Sequence, residues 1–532
     1  MSFTSISFLS FIVVVFGLYF ITPKRLRYLT LLVGSYWFYY LVSKGVLVYL
    51  LITTVSVFVG GLSLWHYNDD IKTAQGSTAL DAPVKAMMKR SLILRKKLVL
   101  VAALLVSFGM LAVLKYGVMI SDTLRLALPD MAGQLPTFMT VMLPLGISFY
   151  TFQAIGYLID IYRGKYEPER NLAKFALFVS FFPQIMQGPI ARYDDLAHQL
   201  YAPHAFDFQR AKNGLFLIGW GFIKKLVVAD RLAVFVSPVF SAYTEYNGSM
   251  LLLAAFIYGL QVYCDFSAGM DIAYGVAQVL GIRMTQNFQQ PYNANSIADF
   301  WRRWHITLGT WMRDYLFYPL SLSRAFGRLA KAVRKRWGAR WSKIIVSGII
   351  SFIVFTIVGI WHGAEAKYIL YGFWNGGLIM LAILLEPVFA KGLAALHIRQ
   401  SDWGWRAFRI LRTLVLLSVG RSIVCSQSGR AALSAIHKMM FSFAPADLFN
   451  GTLGGVLDGL GVSGFDLGVV ALVLAVVFFI DHLHEKGIQV RATIERAPIV
   501  GRFALYLLML FALLMLVPTG GNVSGGFIYA QF

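Results

Sequence analysis

Two histidines in this 532-residue chain stand where imidazole chemistry could be done. His305 lies in the stretch Asn287 to Leu320, NFQQPYNANSIADFWRRWHITLGTWMRDYLFYPL, among three tryptophans and three arginines. His362 closes an apolar run as Trp361-His362-Gly363. A neutral imidazole can take a proton from a hydroxyl near pH 7, which is the step that general-base catalysis needs. The same ring at the edge of an apolar face serves equally well as a hydrogen-bonded structural group, so residue type alone leaves both roles open. Metal chemistry is not indicated, because the two cysteines, Cys264 and Cys425, share no ligand spacing with each other or with a histidine. His66, His198, His204, His397, His437, His482 and His484 lie in or beside polar segments and are assigned no role.

The element that must position His305 reads as a helix. Ser296 followed by Asp299 makes a capping-box-like start, and Pro319 closes the segment, so a helix of about six turns is predicted over 297–317. A helical step of about 100° puts Trp301, Trp304, Leu308, Trp311 and Tyr315 on one stripe and Arg302 and Arg313 on another flank, with His305 at the boundary beside Met312. Indole rings on the apolar face and guanidinium groups on the polar face suit a membrane interface. For His362, a straight helix rising about 1.5 Å per residue from Lys343 would carry the ring most of the way across a bilayer.

Composition supplies the setting. At 58% hydrophobic and 14% charged residues the chain is too apolar for a soluble protein of its length and reads as a polytopic membrane protein. Its net charge of +22 sits in short segments between apolar runs, the pattern of cytoplasmic loops facing anionic lipid rather than of a nucleic-acid surface. Phe8 to Ile21 has no basic residue before it and no small-residue cleavage site after it, so it is expected to remain as a first span. Apolar runs follow at about 28–42, 45–65 and 98–118. Lys24, Arg25 and Arg27 come after the first run. Lys85, Lys89, Arg90, Arg95, Lys96 and Lys97 come after the third, and the positive-inside rule then places the N-terminus outside the cytoplasm. A loop with Asp122, Asp130 and Pro136 succeeds the fourth run.

The segments 143–164 and 175–193 mix Gly, Pro, Gln, Asp and Ser into apolar sequence, as cavity-lining or closely packed helices do. Two or three further apolar segments occupy 211–282, interrupted by Lys224, Lys225, Asp230 and Arg231. There Asp265 and Asp271 are expected to pair with an arginine or line a tunnel, or else to lie near an interface. Between Ser321 and Lys343 the chain is basic without one acidic residue. This is a cytoplasmic lipid anchor or, through Arg334, Lys335 and Arg336, a docking surface for a phosphate-bearing ligand. Apolar runs continue at 344–360, 368–386, 410–425, 465–481 and 503–518.

The motif NFxxPY followed by DFWRRWHITLGTWMRDYLFYPL resembles the signature of bacterial membrane-bound O-acyltransferases, as do GISFYTFQ and SFFPQIMQGPIARY upstream and WHG downstream. The ending FIYAQF is similar to the terminal motif of the branch that O-acetylates alginate and other exopolysaccharides, with Ala530 in place of an aromatic. The resemblance implies an all-α polytopic fold, a ring or horseshoe of about 11 or more transmembrane helices around a membrane-crossing tunnel. It implies one membrane domain over 1–532, with N-terminal spans 1–137, a catalytic core 138–400 and C-terminal spans 401–532.

It further implies that His362 is the catalytic histidine and His305 its companion, each near the narrowest part of the tunnel. His362 would act as general base on the acceptor while His305 orients the acceptor or stabilises charge; the reverse assignment or a transient acyl-His362 stays open. Asn287, Trp301, Arg303, Trp304, Arg313, Asp314, Trp361, Asn375 and Asp265 are the candidates for tunnel lining and positioning. The implied donor is a cytoplasmic thioester, acetyl-CoA or an acyl carrier, with no bound cofactor or metal. The implied partner is an extracytoplasmic acyltransferase acting on polysaccharide, and the implied location is the bacterial inner membrane. D-alanyl transfer to teichoic acid by a related protein is the neighbouring alternative. A transporter or polysaccharide flippase is the distant one, which gives no reason for WRRWH and WHG together.

Overall fold

The computed structural model describes residues 3–78, 81–127, 144–516 and 527–528. Its regular structure is helical, apart from one isolated antiparallel bridge between Phe288 and Trp304. Two compact units divide the chain: Met1–Ile218 with Ala273–Thr285, and Gly219–Ile272 with Gln286–Phe532.

The first unit opens with helices Ile6–Ile21, Arg27–Ser43, Leu47–Gly76 and Ala82–Ala127. The first two coincide with their apolar runs. The next two extend well beyond theirs, so the basic stretch Lys85 to Lys97, expected as a polar segment, is helix. Lys, Arg, Met, Leu and Ala all favour helix, and nothing there breaks it. The loop expected around Asp130 and Pro136 lies outside the described residues. The Gly- and Pro-interrupted stretches form helices Ile147–Tyr162, Leu172–Ser180 and Phe182–Gln187, the last with proline in its first turn. Two of their glutamines pair across the helices. Gln153 donates to the Phe178 carbonyl at 2.7 Å and accepts from the Gln184 amide, which is the packing alternative for these residues.

The second unit carries both histidines. Among the described residues of the whole chain, six helices are long and apolar enough to cross a membrane, and three shorter apolar helices accompany them. The expected count of 11 or more is not reached by that measure, because the other helices are short or interrupted or, like Trp403–Cys425, carry too many arginines. Arg324–His362 is bent at Gly338, where φ is 83°, separating a basic first arm from the apolar arm that ends at His362. That apolar arm packs against Ala366–Ala395. A Cβ at Gly372 would come within 2.7 Å of the Phe355 carbonyl oxygen, and one at Gly359 would collide with the Tyr368 carbonyl, so the backbones meet through paired glycines. This crossing fixes His362 beside Tyr371 and Asn375.

The six-turn helix expected over 297–317 is broken. Ile297–Arg303 and Ile306–Met312 are separated by Trp304 in extended conformation and by His305 at φ 47°, and a π-helical turn follows over Arg313–Phe317. The cap is as expected, with Ser296 Oγ accepting from the Asp299 N–H at 3.1 Å. The break is stabilised from outside the helix. The Gln289 N–H bonds the Arg303 carbonyl at 2.9 Å and the Ile306 N–H bonds the Asn287 carbonyl at 3.0 Å, so the groups released by the interruption find partners. The indole stripe survives in part, since Trp304, Leu308, Trp311 and Tyr315 are all buried.

Candidate active site

His305 is 1% exposed and sits in the left-handed region, unusual for a residue with a side chain. Asn287 holds it there. Asn287 Oδ1 accepts from the Thr307 N–H at 3.0 Å and the Thr307 hydroxyl at 3.0 Å, and lies 3.3 Å from His305 Nδ1. An oxygen already facing two donors assigns Nδ1 as N–H and leaves Nε2 as the basic nitrogen. The ring packs edge-on against Phe266 at 5.0 Å and lies 6.3 Å from the Trp361 ring. Burial pushes the His305 pKa down to about 3, with repulsion from His362 adding to it, so the imidazole stays neutral at working pH. A ring so hard to protonate is better suited to accepting a hydrogen bond and orienting a substrate than to carrying a proton away.

His362 lies at the other side of an aromatic partition. Its ring contacts Trp361 at 4.8 Å and meets Tyr371 edge-on at 5.8 Å. It lines a cavity of about 50 Å³ with Trp304, Phe300, Asn375, Arg421 and Ile528. His305 lines a different cavity of about 770 Å³, with Trp301, Arg302, Arg303, Arg313 and the Ser351 to Val358 face of the helix that ends at His362. The partition is thin. Trp304 faces the small cavity while the next residue faces the large one, and Trp301, on the large side, donates its Nε1–H to Asn375 Oδ1 at 3.1 Å.

The remaining candidates fall into three groups. Asn287, Trp301, Trp304, Trp361 and Asn375 lie around the two histidines, although Asn287 and Trp361 line neither cavity. Arg303 lines the large cavity and is held by Glu485 at 2.8 Å and Asp299 at 3.4 Å. Burial alone would raise the Asp299 pKa, but the Asn295 N–H and the Arg303 and Arg302 guanidinium groups outweigh it and keep that carboxyl below its usual range. Arg313 lines the same cavity but pairs with its neighbour Asp314 at 2.9 Å. Asp265 and the basic trio Arg334, Lys335 and Arg336 line neither cavity. Asp265 is instead buried in an ion-pair cluster. It meets Lys225 at 2.8 Å, Lys225 meets Asp230 at 2.8 Å, and Asp265 also accepts from the Ile528 N–H at 2.9 Å. Asp271 pairs with Lys224 at 2.8 Å, so both intramembrane carboxylates have lysine rather than arginine partners. The trio Arg334, Lys335 and Arg336 is exposed on the basic arm.

Sequence reasoning missed Arg421, Tyr371 and Ile528 as lining of the small cavity. Arg421 lies in an apolar run without a motif, and Ile528 is far along the chain from every other residue of the site. The terminal FIYAQF is described only at Phe527 and Ile528; its other residues lie outside the described residues.

The profile of the membrane-bound O-acyltransferase family matches residues 169–334, a stretch that contains His305 and ends before His362. A probable alginate O-acetylase of Pseudomonas syringae pv. tomato is 32% identical over 471 residues, covering 88% of this chain and 79% of the relative. The chain belongs to the membrane-bound O-acyltransferase family. A probable alginate O-acetylase of Pseudomonas putida is 35% identical over 435 residues, covering 81% of this chain and 78% of that protein. A teichoic acid D-alanyltransferase of Bacillus subtilis is 28% identical over 248 residues, covering 44% of this chain and 58% of that protein. The resemblance read from the signature is thereby borne out. The protein is an acyltransferase and a multi-pass membrane protein of the bacterial type.

Proposed function

We propose that this membrane-bound O-acyltransferase moves an acetyl group from a cytoplasmic thioester, acetyl-CoA or an acyl carrier, across the inner membrane. The product is O-acetylation of an exported polysaccharide such as alginate or cellulose, completed through an extracytoplasmic acyltransferase partner. One observation carries the reading: the two buried histidines line separate cavities on opposite sides of a single aromatic partition. Such an arrangement suits a donor arriving from one compartment and an acceptor from the other, with a membrane-crossing tunnel narrowest at the partition.

The orientation follows from charge. The basic arm before Gly338 belongs to the cytoplasmic side by the positive-inside rule, and the same rule applied to the basic residues after the first and third apolar runs puts the N-terminus outside. Arg340 meets Glu386 at 3.6 Å, so the basic part of one glycine-packed helix lies beside the C-terminal part of the other. Ser351, Ile379 and Ile383 of the large cavity lie toward that end, and Ser351 is about 16 Å of helix rise below His362. The large cavity, of ligand size, then receives the donor's thioester arm from the cytoplasm, and His362 faces the far side. The basic trio Arg334, Lys335 and Arg336 attracts the donor phosphates.

In the transfer, the acceptor oxygen attacks the thioester carbonyl carbon while its proton passes to His362. The carbon–sulfur bond breaks and the leaving thiolate takes the proton. His305, neutral and fixed by Asn287, accepts a hydrogen bond through Nε2 and orients the reacting group. Replacement of His362 by Ala is expected to abolish polysaccharide acetylation in cells at unchanged protein abundance; retained acetylation would refute the assignment. A flippase, the distant alternative, would neither bind nor consume labelled acetyl-CoA in purified form.

A further inference from the structure

Arg421, on the helix Trp403–Cys425, is 8% exposed and lines the small cavity with His362. It has no carboxylate at ion-pair distance among the described residues. Its Nη2 donates to the Tyr292 hydroxyl at 2.9 Å, and its guanidinium lies 5.2 Å from the Tyr292 ring centre and 5.6 Å from that of Phe300. The Tyr292 hydroxyl in turn donates to the Gly259 carbonyl, and a Cβ at Gly259 would overlap the guanidinium. Glycine on one helix and tyrosine on another thus keep a slot for this cation, and among the described residues its charge meets no carboxylate. An unneutralised buried charge is unfavourable unless something anionic forms next to it.

Resting on the acetyl-transfer reading, we infer that Arg421 recognises the acyl group. It faces the carbonyl oxygen as negative charge develops there, and it bars acyl groups that carry an ammonium. The acceptor oxygen bonds to the carbonyl carbon as its proton moves to His362, and the carbonyl π pair shifts onto the oxygen beside Arg421. Return of that pair expels the thiolate, which takes the proton from His362, so thioester and alcohol become ester and thiol. An ammonium about 5 Å from the guanidinium at an effective dielectric constant of about 20 would be disfavoured by on the order of a hundredfold.

The test uses the full-length protein in lipid nanodiscs. Acetyl-, propionyl- and glycyl-pantetheine, which share the arm common to coenzyme A and carrier donors, are offered with a uronate oligosaccharide as acceptor together with the extracytoplasmic partner acyltransferase, and ester formation is measured. Propionyl and glycyl groups are close in size and differ in charge. The parent is expected to prefer propionyl over glycyl by on the order of a hundredfold. Arg421→Gln should bring that ratio to within a few-fold and slow acetyl transfer by roughly 10² to 10³. Gly259→Ala, which keeps the charge and displaces the guanidinium, should slow acetyl transfer as well. The ratio is independent of how much protein is folded, so a stability defect cannot mimic the result. A ratio unchanged in Arg421→Gln, or a parent that takes glycyl as readily as propionyl, overturns the inference while leaving acyl transfer intact. A parent that esterifies no acyl group overturns the functional reading and this inference with it.

Discussion

Replacing Asn287 by Ala removes the oxygen that organises the broken helix. Three donors converge on it: the Thr307 N–H at 3.0 Å, the Thr307 hydroxyl at 3.0 Å and His305 Nδ1 at 3.3 Å. Asn287 is fully buried, so the donors lose a partner without gaining water. At about 1–3 kcal/mol for each donor left unsatisfied, and with the hydroxyl able to rotate elsewhere, the expected loss is about 2–5 kcal/mol. The left-handed conformation at His305, which costs on the order of 1 kcal/mol or more, then lacks the contact that maintains it. Misorientation of His305 should lower the transfer rate per folded molecule by about a hundredfold. Denaturant unfolding in detergent, followed by tryptophan fluorescence, gives the stability term, and acetyl transfer normalised to folded protein gives the second. An Asn287→Ala protein within about 0.5 kcal/mol of the parent and equally active would refute the reasoning, since that is below the net value of even one typical hydrogen bond.

Three further outcomes are expected. His305 is neutral when folded, with its pKa lowered to about 3, while an unfolded histidine titrates near 6.5. The unfolded chain therefore binds more protons between those values. This contribution to stability is constant above about pH 6.5 and is lost as pH falls toward 3, by at most about 1.4 kcal/mol per unit, and His305→Gln should remove that slope from the unfolding profile. Asp265→Asn removes one of the two carboxylates that meet Lys225 in a buried cluster and should destabilise the protein by about 2–4 kcal/mol in the same unfolding assay, whereas a solvated pair would lose less than 1 kcal/mol. Joint replacement of Arg334, Lys335 and Arg336 by Gln should raise KM for the donor several-fold and flatten its salt dependence with kcat unchanged; a kcat effect would place them elsewhere in the mechanism.

The residues best read from sequence were those whose neighbours are local. Apolar runs locate most of the helices because hydrocarbon imposes length and composition on a span. His305 and His362 stand out through their adjoining tryptophans and the family signature. The interruption at Trp304 and His305 is invisible to periodicity, since the apolar stripe continues through it. Its cause is Asn287, eighteen positions earlier, donating structure through a side chain. Arg421 reads as one more cation in an apolar run, and only the packing of Gly259, Tyr292 and Phe300 around it gives it a place beside His362. The lysine partners of Asp265 and Asp271 were equally hidden, because Lys224 and Lys225 lie about 40 residues away and face inward through a π-helical turn.

The central claim, that acetyl groups pass the partition beside His362 from one face of the membrane to the other, is tested most directly in sealed proteoliposomes. Protein is oriented with its basic arm outward, labelled acetyl thioester is added outside, and a hydroxyl acceptor with the partner enzyme is enclosed within. Labelled ester inside the vesicles for the parent, and none for His362→Ala, is the expected result. Equal internal labelling by the two proteins would contradict it.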